Sequence, residues 1–427
     1  MKTEVTIGKP YPKRDLVLVP GKNLIIGEKE FCAFFGAPSS LENDLLTLSS
    51  AVMACDIALK RGERENISRT FELRIPIVNV HLFLPLQKEL EDLLYLLSYD
   101  NWTIDFQRKA GKPEPSSRWK GNNGKTLLFS GGLDSLSCAV DELSSGSNLV
   151  LVSHFTHNRI TKLSQETLWE LVTKKVGKAD RFAFMISGRK TADLDFPSDE
   201  LREESQRTRS FLFLSLSALV ARRTGNHRVL YIAENGQMAI HLPLTTARLG
   251  AFSTHTAHPE VVAKTQNILG QLLEFPFVIE NPYLYKTKGE VIANTVKKLG
   301  KRVSSSVSCW RGSRVQGGNN HCGVCVPCLI RRIALEVNSL PLKEYEDDLF
   351  RKNIAKLPEE DIGKRNLVEL LEFIRYFDRC NDAELEMNFP DLLNPLVDRV
   401  QAIAMYRRFA KEANKVLSIY PSVKALL

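Results

Sequence analysis

The chain has 427 residues, 43% of them hydrophobic and 25% charged, with a formal net charge of +8. That length exceeds one average core, so about two or three domains are expected, and the composition excludes a disordered or fibrous chain. No apolar run reaches the roughly 20 residues of a membrane span, and the opening MKTEVTIGKPYPKRD lacks a secretory apolar segment, so a cytoplasmic protein with no membrane association is expected.

Residues 1–110 read as an N-terminal α+β domain. EVTIG, DLVLVP and NLIIG are short strands. SLENDLLTLSSAVMACDIALKRG is apolar at helical spacing, with Ser39 or Ser40 as its N-cap and Gly62 closing it. RTFELRIPIVNVHLFL alternates as strands do, and LQKELEDLLYLLS is an amphipathic helix. The Pro-, Gly- and Ser-rich stretch that follows supplies a linker over 111–124.

From Lys125 to Arg332 strands and helices alternate. TLLFS, NLVLVSHF, RFAFMIS and RVLYIAENG are strands; DSLSCAVDEL, SQETLWELVTKKVG and SQRTRSFLFLSLSALVARRTG are helices. Such alternation predicts an α/β fold with a doubly wound parallel sheet. These sheets bind ligands beyond the carboxyl ends of their strands, so chemistry is expected in the turns after Phe129, Val152 and Ala233. Gly236 to Pro282 reads as loop, carrying His241, His255 and His258, before the helix KTKGEVIANTVKKLG. Residues 333–427 form a helical C-terminal region, with apolar stripes in NLVELLEFIRYFD and LVDRVQAIAMYRRFAKEANKVL.

The turn SGGLDS, Ser130 to Ser135, joins the first of these strands to its helix. Gly131 and Gly132 allow positive φ and let N–H groups face a ligand with no Cβ in the way. Successive amides at a helix N-terminus make an anion nest, to which the Ser130 and Ser135 hydroxyls add donors. No G-x-x-x-x-G-K-[ST] and no loop lysine accompany it. The nest therefore suits the pyrophosphate part of ATP.

Eight cysteines fall into two sets. Cys32, Cys55, Cys138 and Cys380 are isolated and are expected as buried thiols. Cys309, Cys322, Cys325 and Cys328 form C-x12-C-G-x-C-x2-C, the paired short spacing that tetrahedral Zn²⁺ requires. Filled by four thiolates, such a site is structural rather than catalytic, with His321 a neighbour.

SGGLDS resembles the signature of the PP-loop ATP pyrophosphatases, of HUP-like fold, which cleave ATP between the α and β phosphates and adenylate a substrate. The resemblance assigns Ser130, Gly131, Gly132, Leu133, Asp134 and Ser135 to pyrophosphate, with Asp134 placing Mg²⁺. Within that group, Cys322 to Arg331 resembles the C-G-x-C-x2-C ending of QueC, the 7-cyano-7-deazaguanine synthase family. QRTRSFLFLSLSALVA resembles that family's arginine-bearing helix and brings Arg209 near the phosphates. Ser210 stands where asparagine is usual, LVSHFTHN replaces an F-D-Y-G-Q-like strand end, and AENGQMAIHLPLT replaces a GANxxD loop. The nucleotide half therefore follows the family while the substrate half is remodelled.

The length and both extensions resemble the longer QueC-like proteins of anti-phage operons (QatC-type). The resemblance implies adenylation of a 7-carboxy-7-deazaguanine carboxylate and transfer to an amine, either ammonia or a protein from the same operon. The catalytic residues implied are Asp134, Ser135 and Arg209. Glu234 and Asn235 end a strand at the site face, open to base recognition, metal contact or a plain turn. His154, His157, His255 and His258 are read as polar loop residues, and Lys286 and Lys288 as exposed residues that could meet phosphate. A tRNA-adenylating relative and a non-catalytic nucleotide-binding scaffold are the alternatives. Nucleic acid is possible but not favoured, because the basic residues are scattered among acidic ones and an anionic ligand explains the surplus equally well.

Overall fold

The computed structural model describes residues 2–8, 15–62, 68–112, 124–155, 159–225, 227–244, 256–310 and 320–424. Ahead of residue 110 lie strands β1 (Lys2–Ile7), β2 (Leu16–Leu18), β3 (Leu24–Ile26), β4 (Thr70–Ile77) and β5 (Asn101–Arg108). Helices α1 (Glu28–Phe35), α2 (Ser40–Ala58), α3 (Val80–Phe83) and α4 (Gln87–Ser98) run between them. Four of the strands form one parallel sheet in the order β2-β1-β4-β5. β5, not anticipated from the sequence, turns Trp102, Ile104 and Phe106 inward and its polar residues outward.

Ser39 caps α2 through a capping box: its hydroxyl accepts the Glu42 N–H at 3.3 Å, and the Glu42 carboxylate accepts the Ser39 N–H at 2.7 Å. The helix stops at Ala58 instead of running to Gly62. Beyond it the chain turns so that Arg61 can pair with Asp56 and with Asp100.

The second sheet holds β6 (Lys125–Leu128), β7 (Leu149–Phe155), β8 (Asp180–Gly188), β9 (Val229–Tyr231) and β10 (Val278–Glu280), with α5 (Leu133–Ser144), α6 (Arg159–Lys175), α7 (Arg209–Arg223), α8 (Gly236–Ile240) and α9 (Pro259–Leu273) between them. Its order is β10-β9-β6-β7-β8-β3, parallel throughout except for β3, which pairs antiparallel with β8. The alternating, doubly wound parallel architecture expected from Lys125 onward is present. Leu127, Phe129, Leu149 and Leu151 face the core shared with α5 and α6; Leu128, Val150 and Val152 face the core shared with α2 and α7.

Gly236 to Pro282 is not loop throughout. It contains α8, the 15-residue helix α9 and the edge strand β10. The signal was present: His258 accepts the Glu260 N–H as N-cap, Pro259 opens the helix, and Val261, Ile268, Leu269 and Leu272 are buried at helical spacing.

Helices α2 and α7 run antiparallel and are clamped at both ends by buried charge. At one end Arg223 makes a forked pair with Glu42, at 2.6 and 2.7 Å. At the other, Arg69 bridges Asp56 at 2.5 Å and Asp100 at 2.6 Å, and Asp56 also accepts the N–H (2.9 Å) and hydroxyl (3.1 Å) of Thr208. Thr208 is the N-cap of α7. Removing one member of such a buried set strands the others, at a cost of about 3–5 kcal/mol. The N-terminal sheet is thereby fixed to the residue that begins the Arg209 helix.

The chain continues through α10 (Lys288–Leu299), α11 (Val326–Val337), α12 (Ile362–Arg379), α13 (Asp382–Asn388), α14 (Arg399–Leu417) and α15 (Pro421–Lys424). The last four form the expected helical C-terminal region, whose core of Ile374, Tyr406 and Phe409 also takes in Ile240 and Leu242 behind α8. Among the described residues no helix is long and apolar enough to cross a membrane. Cys55 and Cys138 are buried as expected, whereas Cys32 is exposed because it lies on the outer face of α1.

Candidate active site at the glycine turn

The order of the second sheet creates a crevice. From β6 the chain winds outward through β7 and β8, then returns to the opposite side of β6 at β9. The connections after β6 and β9 leave in opposite directions, which opens the sheet between them. The turn after β6 is SGGLDS, and the turn after β9 is AENG.

Gly131 has a φ of +84°, and a Cβ there would press on Gln165 and Ser164 at 3.1–3.2 Å. The turn's carbonyls point back into the protein. Ser164 Oγ and the Val307 N–H both donate to Gly131 O, at 3.1 and 2.9 Å, and Gln165 Nε2 donates to Ser130 O at 3.3 Å. Arg181 in turn holds Gln165 at 3.1 Å. The Gly132 N–H donates to Ser130 Oγ at 3.3 Å, and further amides follow it at the start of α5. Those of Leu133, Asp134 and Ser135 precede the first intrahelical bond of α5, from Leu136 N–H to Gly132 O. The Ser130 and Ser135 hydroxyls lie 3.3 Å apart beside them. An anion here would meet amides, hydroxyls and the positive end of α5.

Asp134 faces across the crevice. Lys288 Nζ donates to both its oxygens at 2.9 Å, and Asn235 Nδ2 donates to one of them at 2.8 Å. Lys288 is buried, not exposed as the sequence suggested, because the first turn of α10 packs under α8 and its N–H donates to Gln237 Oε1 at 3.0 Å. Asn235 is fully buried, and its Oδ1 has no hydrogen-bond partner. A buried orphan oxygen beside a carboxylate is a hard donor suited to a cation such as Mg²⁺.

Glu234 sits beside Asn235, its backbone held by Asn281 on both sides, at 3.2 and 2.8 Å. Burial first, then the Asp134 charge, push its carboxyl up to about 7; Lys288 and Arg209 offset part of this. A carboxyl poised near neutrality can take or give a proton during reaction. Arg209, at the start of α7, also brings its charge to this side of the crevice, with its guanidinium 5.5 Å from the centre of the Phe213 ring. Because the folded Glu234 pKa lies above its ordinary 4.5, the stability it lends is full below pH 4.5 and is lost as pH rises through about 7. Glu234→Gln is expected to match the native chain in urea unfolding at pH 4.5 and to exceed it at pH 8.

The candidate residues after β6 and β9 are thus brought together, whereas the turn after β7 follows Phe155 rather than Val152. His154 is a buried strand residue, not a loop residue. Its Nε2 lies 3.1 Å from Ile186 O, and burial lowers its pKa to about 4. His258 is the α9 cap. His157 and His255 lie outside the described residues. Lys288, expected as an exposed residue that could meet phosphate, pairs instead with Asp134; its position three residues before Val291, in a capped helix start, is the signal of its burial.

The four clustered cysteines converge, every Sγ within 4.8 Å of the others. Cys309 and Cys325 are 4.0 Å apart, and Cys322 and Cys328 are 3.9 Å apart. Four thiolates about 2.3 Å from one Zn²⁺ would be separated by about 3.8 Å, so the set fits that ion. Gly323, at φ +79°, makes the turn; a Cβ there would collide with the Asp347 carbonyl. His321 stands outside the set, its Nε2 accepting the Ser308 N–H at 3.2 Å. The centre is joined to the glycine turn. Arg331 on α11 reaches Glu344 at 2.7 Å, Ser306 Oγ at 2.8 Å and Val303 O at 3.3 Å. The segment it holds, leaving the 3₁₀ turn Gly300–Ser305, carries Val307, whose N–H donates to Gly131 O.

Comparison with known proteins bears on this arrangement. The 7-cyano-7-deazaguanine synthase of Brucella anthropi is 24% identical over 247 residues, which cover 54% of this chain and 98% of that protein. That of Agrobacterium fabrum is 25% identical over 240 residues, 53% of this chain and 94% of its own. A shorter match, 39% identical over 64 residues, covers 14% of this chain and 13% of the Sulfolobus acidocaldarius synthase. The family model described as queuosine biosynthesis protein QueC matches residues 125–339. That span takes in the glycine turn, the crevice and the four thiols, half of the chain in all, and on it this protein belongs to the QueC family.

Proposed function

We propose that this protein is an ATP-dependent ligase that adenylates the carboxylate of a 7-deazaguanine acid and passes the acyl group to an amine. The observation that carries the reading is the glycine turn at the start of α5, its Asp134 paired with Lys288 across the crevice. A carboxylate oxygen attacks the α-phosphorus of ATP and pyrophosphate leaves, held by the Leu133 to Ser135 amides and the Ser130 and Ser135 hydroxyls. Mg²⁺, held by Asp134 and Asn235 Oδ1, would supply positive charge for the leaving group. Fixed donors aimed at that developing charge account for most of the rate. The amine nitrogen then attacks the acyl carbon, AMP departs with the former carboxylate oxygen, and Glu234 is suited to accept the proton. Arg209 contributes cationic charge to the triphosphate. Zn²⁺ held by the four thiols would be structural, since they would fill its four positions.

The regions outside residues 125–339 and the remodelled substrate loops favour a protein amine as acceptor, in the manner of the long QueC-like proteins of anti-phage defence. Thiol-based sulfur transfer to tRNA is disfavoured, because Cys138 is buried within α5. The test is incubation with ATP, Mg²⁺ and 7-carboxy-7-deazaguanine, with ammonium or with candidate acceptor proteins. Pyrophosphate release that requires the acid, with an acceptor gaining the mass of the acid less water, is the expected result. Release independent of the acid, or none under any condition, would overturn the proposal.

A further inference from the structure

Helix α14 lies outside the residues matched by the family, yet it packs on both elements that hold Asp134. Gly236 opens α8, and a Cβ there would collide with the Met405 methyl and the Leu284 carbonyl. Tyr406 OH lies 3.4 Å from Gln237 O and accepts the Leu242 N–H at 3.4 Å. Two turns further along α14, Glu412 Oε1 accepts the Thr287 hydroxyl proton at 2.7 Å. Thr287 is the N-cap of α10, and its oxygen meanwhile accepts the Glu290 N–H at 3.1 Å. The approach depends on Gly289, where a Cβ would stand 2.7–2.9 Å from the Glu412 carboxyl. Arg408, between them on the same face, pairs with Glu290 at 2.7 Å and holds Tyr285 O at 2.8 Å.

Glu412 is costly to keep in this place. Its Oε2 is buried without a partner. Burial, then the nearby Glu290 charge, push its carboxyl up to about 7 against the opposing effects of Thr287 and Arg408. What the carboxyl achieves is direction: it takes the Thr287 proton, leaving the hydroxyl oxygen aimed at Glu290 N–H, and fixes the first turn of α10 one residue before Lys288.

We propose that Glu412 is a positioning residue for Lys288, so that the C-terminal helix sets the geometry of the cation at the glycine turn. The proposal rests on the functional reading above for its consequence, nucleotide binding, but not for its geometry. A thermodynamic cycle separates the two. Mg²⁺–ATP affinity is measured by calorimetry for the full chain and for Glu412→Ala, Lys288→Ala and the double variant. Glu412→Ala is expected to weaken ATP binding about fivefold in the native background and to change nothing once Lys288 is gone, as one shared network requires. Glu412→Gln retains an acceptor for Thr287 and is expected to restore native affinity. A general loss of packing would instead weaken both backgrounds alike and escape rescue by glutamine, and either result overturns the proposal. Hydrogen exchange gives a readout independent of nucleotide. Amides 287–292 are expected to exchange faster in Glu412→Ala than in Glu412→Gln, and equal protection in the two would overturn the assignment even if native protein failed to bind ATP.

Discussion

Asp134→Asn is expected to lower acid-dependent pyrophosphate release by about 10²–10³-fold, the scale of losing one preorganised charge-stabilising group. The substitution keeps the shape of the side chain and removes only its charge. Lys288, whose side chain is 7% exposed, is then left as a buried ammonium without its anion. Asn235 Nδ2, which donates to Asp134 at 2.8 Å, must share its site with a second amide. The cluster loses the anion that organises Lys288 and Asn235 and that would hold Mg²⁺, so catalysis is expected to fail before folding does. Stability is also expected to fall by about 3 kcal/mol or more, as in other buried pairs broken on one side. Urea unfolding and initial rates of pyrophosphate release, measured on the same preparation, check the two effects. A variant with native rates would remove Asp134 from the mechanism.

Stripping the thiol centre is expected to have the second large effect, and to act at a distance. Structural Zn²⁺ in small modules contributes about 10–16 kcal/mol, comparable with the whole stability of an ordinary domain. Cys309 lies two residues from Val307, whose N–H anchors Gly131, and Arg331 ties the same segment to α11. Chelation, or Cys325→Ser, is therefore expected to release the back of the glycine turn and weaken Mg²⁺–ATP binding at least tenfold, with loss of protection in residues 303–308. Metal content, exchange and calorimetry on the treated full chain measure this. Unchanged affinity in metal-free protein would show that the turn stands without the centre.

The central unit was legible because its signals are local and periodic. Apolar runs of strand length alternate with helical stripes, two glycines mark a bend, and four cysteines recur at ligand spacing. Less was legible where partners are distant. Lys288 looked like a surface lysine because nothing nearby in sequence reveals that Asp134 lies across the crevice. His154, at the end of NLVLVSHF, reads as a polar loop residue, yet its ring is satisfied by Ile186 on the next strand. Helix α9 shows only in the spacing of Val261, Ile268 and Leu272, which the histidines and polar residues around it obscure. The Arg69–Asp56–Asp100 set joins the end of α2 to the residues just ahead of β4 and β5, and no spacing in the chain announces it.

Strand β3 carries a consequence for any shortened form of the protein. Its three residues seal one side of β8, from Ile186 to Gly188, and do so with antiparallel pairing in a sheet otherwise parallel. A fragment beginning at the linker would keep the glycine turn and the thiols but bare that rim, together with Phe184 and Ile186, which are now covered. Open strand rims recruit one another. Such a fragment would come out of cells as sticky oligomers, and its inactivity would say nothing about the catalytic groups it still possessed.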